Sequence, residues 1–170
     1  MKIFLLYFFV IIFFIIFQTG FISAGPSFLN MINLVLSMLI FIGIFLGYNL
    51  SLWWAFITGL IWDISSINGF GTITFSLLLT AIIINLLFNN LFTNYSLYSL
   101  LILGAIGTAV FEAIFYSIRY VNQLFGLVDL AVSFNKYMLY DFFLQILFNV
   151  MFLTLLYVFV GRKLIREHQV

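Results

Sequence analysis

The chain has 170 residues, of which 66% are hydrophobic and 6% charged, against roughly 45–50% and 25% in soluble globular domains, so it reads as an integral membrane protein. Its net charge of +1 offers no basic field for nucleic acid. With no cysteine and a single histidine, His168, it excludes disulfides, thiolate metal sites, and cysteine or histidine catalysis at membrane depth.

One crossing takes about 20 residues, which leaves room for roughly five or six helices and short connections. The first is expected over about residues 3–22. Its apolar run behind Lys2 exceeds a signal-peptide core and carries seven phenylalanines from Phe4 to Phe21, with no glycine or alanine before Gly20. Such a surface suits lipid contact better than close backbone packing. Gly25 and Pro26 then punctuate the chain and open a second span at about 28–47. Tyr48, Asn49 and Ser51 mark a turn, and Trp53 and Trp54 follow it, as aromatic rings do at the headgroup level.

The third helix, about 51–64, is short for a crossing and enters a polar break, Ser65 to Gly71, with Asp63 near its end. A fourth span covers about 72–91, with Asn85 as its strongly polar interior residue. The fifth, about 97–118, holds Gly104, Ala105, Gly107, Thr108 and Ala109, a small-residue patch that permits close helix contact. It also carries Glu112, with Arg119 two turns on and nearly on the same face. Beyond the polar interruption from Arg119 to Lys136, a sixth span is expected over about 137–160. There Asp141, Gln145 and Asn149 follow at one-turn intervals and line one stripe.

Arg162, Lys163 and Arg166 place the C-terminus in the cytoplasm, and Lys2 places the N-terminus there too, which requires an even number of spans. The expected architecture is therefore all-α, a single polytopic domain over residues 1–170 with about six transmembrane helices and short loops. In that orientation Asp63, Glu112, Arg119, Asp129, Lys136 and Asp141 all fall toward the outer half, leaving an apolar inner body.

A carboxylate at a span centre costs roughly 2.5–3.5 kcal/mol, so Asp63 must face protein, water or the membrane boundary. It reads either as a proton or ion site or as a structural residue that caps backbone groups left by the Ser65–Gly71 break, and the structural reading is favoured. Gly69 and Gly71 lack the lysine of a phosphate-binding loop. Glu112 with Arg119 reads as a relay or a neutralising pair, the latter favoured. The Asp141, Gln145 and Asn149 stripe reads as a cavity lining or a helix contact, the contact favoured. No Ser/His/Asp set, HExxH or CxxC exists. The expectation is no enzyme, no metal and no cofactor.

A helix ending in Gly59-Leu60-Ile61-Trp62-Asp63, with Gly71 eight residues after the acid opening the next span, resembles the rod shape-determining protein MreD family. At Ser65-Ser66-Ile67-Asn68 the sequence departs from the glycine and proline often found in that loop. The resemblance implies a non-enzymatic subunit of the bacterial elongation machinery, multi-pass in the inner (plasma) membrane. It implies as partners the bitopic protein MreC, the MreB filament and the cell-wall synthase of lateral peptidoglycan, with membrane lipid around them. Gly59, Asp63 and Gly71 carry the motif. The competing class is a vitamin-binding subunit of an energy-coupling-factor transporter, whose six-helix layout is similar. Those subunits dock through small residues in the first helix, which Ile3 to Phe17 lacks. A weaker alternative is a proton-coupled carrier relying on Asp63, Glu112 and Asp141.

Overall fold

The computed structural model describes residues 13–22, 32–66, 69–92, 96–126 and 136–161, and every regular element among them is helical. In order these are α1 (13–22, π-helical over Phe17–Ile22), α2 (Leu34–Phe45), α3 (Tyr48–Ser65), α4 (Thr72–Leu91), α5 (Leu97–Leu124) and α6 (Lys136–Leu156, continuing as a π-helix over Tyr157–Gly161). Three stretches are long and apolar enough to cross a membrane: Thr72–Leu91, Leu97–Leu124 and Leu139–Gly161.

The expected fourth span agrees with α4 at both ends, the second, third, fifth and sixth shift, and the first is described only from residue 13, ending at Ile22. The fifth helix continues past residue 118 to Leu124, so Arg119 and Asn122 are helical. Tyr48, Asn49 and Ser51 form the first turn of α3 instead of a loop, because Gly47, at φ 112°, makes the break by itself. The second span is the largest departure. The Asn33 side chain accepts the Leu36 amide at 3.0 Å, and α2 therefore starts at Leu34 and has 12 residues, a length of about 18 Å, roughly half a crossing. Residues 23–31, where the expected span would begin, lie outside the described residues, as do residues 3–12 of the expected first span and Lys2, Asp129, Arg162, Lys163, Arg166 and His168.

Apolar on every side, α2 is enclosed by the other helices, and all of its residues but Met38 and Gly43 are buried. It runs antiparallel to α3, with the Ser51 hydroxyl donating to the Leu39 carbonyl and the Trp54 indole to that of Val35. Trp54 is thus a core residue, with Phe14 of α1 edge-on to its ring, and only its neighbour Trp53 is exposed. The same contact qualifies the lipid-facing reading of the first helix: Phe13 and Ile16 are exposed, but Phe14 and Ile15 pack inward.

The small-residue patch of α5 sets close contacts on two sides. A methyl at Gly104 would fall 2.5 Å from Leu153 of α6, and one at Gly107 would fall 2.7 Å from Ile40 of α2 and 3.0 Å from Ile84 of α4. By contrast, α6 is peripheral, with only 11% of its apolar stretch buried.

Candidate functional site

Two polar constructions hold the helices in register, one at an end of the bundle and one through its middle. The first lies where α3 turns into α4. The Ser66 amide and hydroxyl both donate to the Asp63 carbonyl and stop α3. Gly69 and Gly71, at φ 88° and 91°, carry the chain round, a conformation that side chains with a Cβ rarely adopt.

Gly71 occupies the cap position of α4 and has no side chain to offer its open amides. Asp63 supplies the missing cap from across the turn. Its Oδ1 accepts the Ile73 amide at 2.9 Å, and its Oδ2 accepts the Thr74 amide at 3.0 Å and the Thr74 hydroxyl. The carboxylate is 3% exposed, and all three donors stand at the positive end of a helix, where a negative charge is stabilised.

Gly59 lies one turn before Asp63, within α3 and away from the turn itself. A Cβ there would lie 2.6 Å from the Thr74 Cα and 2.9 Å from its Oγ1. The hydrogen at Gly59 therefore lets Thr74 close onto α3, and Thr74 is the residue that binds the carboxylate. Gly59 and Asp63 thus act on one threonine, which the sequence reading did not single out. The available signal was its position: the third residue of a helix, where capping side chains aim.

The second construction surrounds the start of α2. The Leu34 amide donates to Gln18 Oε1 of α1 at 2.9 Å, and Gln18 Nε2 donates to the Ile32 carbonyl at 2.9 Å. From α6, Asn149 Oδ1 accepts the Asn33 amide at 2.8 Å, while its Nδ2 donates to the Thr108 hydroxyl of α5 at 3.2 Å. Gln18, Asn33, Thr108 and Asn149 are all buried. A helix that starts inside an apolar bundle exposes amides that lipid cannot satisfy, and these side chains replace water there.

One turn along, Gln145 Nε2 donates to Glu112 Oε1 at 2.7 Å. The neutralising pair expected of Glu112 and Arg119 is not formed. Their seven-residue separation is about 10 Å along the axis, and the Gln145 amide on the facing helix is nearer. Arg119 instead lies with its guanidinium carbon 5.8 Å from the Phe115 ring centroid. The stripe on α6 thus divides: Gln145 and Asn149 contact α5, whereas Asp141 is exposed. Asn122 donates to the Thr72 hydroxyl at 3.0 Å and ties the end of α5 to the Asp63 corner. Among the described residues no group of three His, Cys, Asp or Glu is arranged to hold a metal ion.

Asn149→Ala removes an acceptor from the buried Asn33 amide and a donor from Thr108. A loss of about 1–2 kcal/mol is expected, read as a lower unfolding midpoint in detergent. Asn85, whose side chain accepts from Asn89 at an exposed site, is the comparison, and Asn85→Ala is expected to leave the midpoint unchanged.

The family model described as rod shape-determining protein MreD matches residues 1–160. No curated protein and no solved structure matches the chain.

Proposed function

The chain belongs to the rod shape-determining protein MreD family, a membrane-protein family of the shape-determining MreB/MreC system, and we propose that it serves there as a non-enzymatic scaffold subunit. A role in rod shape determination follows from membership. The finer reading is one multi-pass domain in the bacterial inner membrane, with six crossings and both termini cytoplasmic, that binds an MreC-like bitopic protein and helps to organise lateral peptidoglycan synthesis. Three long apolar helices support the multi-pass arrangement. The second crossing would need residues ahead of Leu34 in addition to α2.

The observation that carries the scaffold reading is the use made of Asp63. Its carboxylate spends both oxygens on the first turn of α4, so the most buried acid described works to hold two helices at a fixed angle. Glu112, Gln145 and Asn149 likewise join helices. Polar chemistry in this chain builds a shape, and a shape is what a partner helix recognises. The Gly59–Gly71 corner is the proposed contact.

The test is co-expression of the tagged chain with an MreC-like protein, followed by detergent pull-down and complementation of cell shape. Asp63→Ala is expected to lose the partner and give round cells, with Asp63→Asn intermediate. Wild-type co-purification together with normal rods in Asp63→Ala would remove the corner from the interface.

A further inference from the structure

Along α5 and α6 the paired residues step by four in opposite directions, Thr108 with Asn149 and then Glu112 with Gln145. The next step sets Tyr116 against Asp141, and there the seam is open. Asp141 is exposed and makes no hydrogen bond or ion pair among the described residues. Arg119, one turn beyond Tyr116, has its guanidinium carbon 5.8 Å from the Phe115 ring centroid and a buried Nε with no hydrogen-bond partner among the described residues. Glu112, Arg119 and Asp141 all act electrostatically on the Tyr116 phenol, and of these Glu112 is engaged by Gln145.

Their depth follows from the helices. The Thr108–Asn149 pair lies near the middle of both α5 and α6. From it, Arg119 is about 16 Å along one axis and Asp141 about 12 Å along the other, and half the hydrocarbon thickness is about 15 Å. The two charges therefore bracket the level at which acyl chains give way to headgroups. Leu139, Tyr140, Phe143, Leu147 and Met151 are exposed on the face of α6 turned away from Gln145 and Asn149. A guanidinium fork matches the paired oxygens of a phosphodiester, and a carboxylate is matched by a primary ammonium, whose N–H groups a quaternary ammonium lacks.

We propose that the open rung formed by Tyr116, Arg119 and Asp141 binds the headgroup of a phosphoethanolamine lipid, with the phosphodiester on Arg119 and the ammonium on Asp141. The Tyr116 hydroxyl donates to a phosphate oxygen. The site is independent of the partner contact at the Gly59–Gly71 corner.

The test uses the full chain, delipidated in detergent and titrated with phosphatidylethanolamine, phosphatidylglycerol or phosphatidylcholine. Bound lipid is counted by native mass spectrometry. Wild type is expected to hold phosphatidylethanolamine about tenfold tighter than the other two. Arg119→Gln is expected to weaken all three and Arg119→Lys to fall between. Asp141→Asn is expected to erase the preference while keeping phosphatidylglycerol bound. The lipid-free unfolding midpoint of Arg119→Gln should stay close to wild type, since its Nε has no hydrogen-bond partner and the contact to lose is the one with the Phe115 ring.

Four results would overturn the proposal. One is equal retention of the three lipids by wild type. Another is a lipid-free midpoint lowered by Arg119→Gln, which makes Arg119 structural. Lipid binding unchanged by Arg119→Gln alongside lost MreC co-purification would assign the rung to a protein helix. Saturation by free phosphoethanolamine as tight as by the lipid would assign it to a soluble ligand.

Discussion

Asp63→Ala is expected to lower the stability of the chain by about 3–5 kcal/mol, a large fraction of the 5–15 kcal/mol typical of folded domains. Three donors lose their acceptor at once: the Ile73 amide, the Thr74 amide and the Thr74 hydroxyl. Ile73 and Thr74 are buried, at 3% and 5% exposure, so water does not readily replace the carboxylate. Gly71 has no side chain with which to take over the cap. Asp63→Asn keeps one acceptor oxygen but loses the charge at the helix end, and about half the effect is expected. The measurement is the unfolding midpoint of the purified protein in one detergent, with elution profile as the check on folding. A midpoint for Asp63→Ala within error of wild type would show that the three donors find other partners.

Gly59→Ala should cost about 1–3 kcal/mol, the usual range for overpacking. The added methyl would meet main chain, the Thr74 Cα at 2.6 Å, and a backbone atom has no rotamer by which to move aside. Separation of α3 from α4 is the remaining response, and it also pulls Thr74 away from Asp63. The two substitutions are therefore expected to be non-additive, with the Gly59→Ala/Asp63→Ala double variant less destabilised than the sum of the singles, because each disrupts the same threonine. Gly20→Ala, where a Cβ meets nothing within 4 Å, is the neutral control. Additivity of the pair, or a Gly59→Ala as stable as Gly20→Ala, would separate the helix crossing from the cap.

Much of this arrangement was legible in the residue string, for local reasons. Long apolar runs have few conformations open to them in a bilayer other than a helix, because lipid leaves backbone groups unsatisfied, and α4 accordingly lies over the residues its hydropathy marks. An acid beside glycines and serines in such a chain reads either as an ion site or as a cap for helix ends, and Asp63 sits at two such ends. Asn33 immediately ahead of an apolar run carried a capping signal that the composition of the run obscured.

The apolar string by itself determined the all-helical class, the rough places of the breaks and the few residues whose polarity needs an answer. Tertiary structure alone decided which answer each receives. A helix that is apolar all round has no stripe to show which side faces protein, so nothing local marked α2 as enclosed, α6 as peripheral, or Trp54 as core and Trp53 as exposed. Asn149 meets a backbone amide 116 residues away, Gln145 replaces Arg119 at Glu112, and Thr74 unites Gly59 with Asp63. Those pairings exist only once the helices are packed, because a polar group inside a bundle takes the nearest partner in space, whatever its distance along the chain.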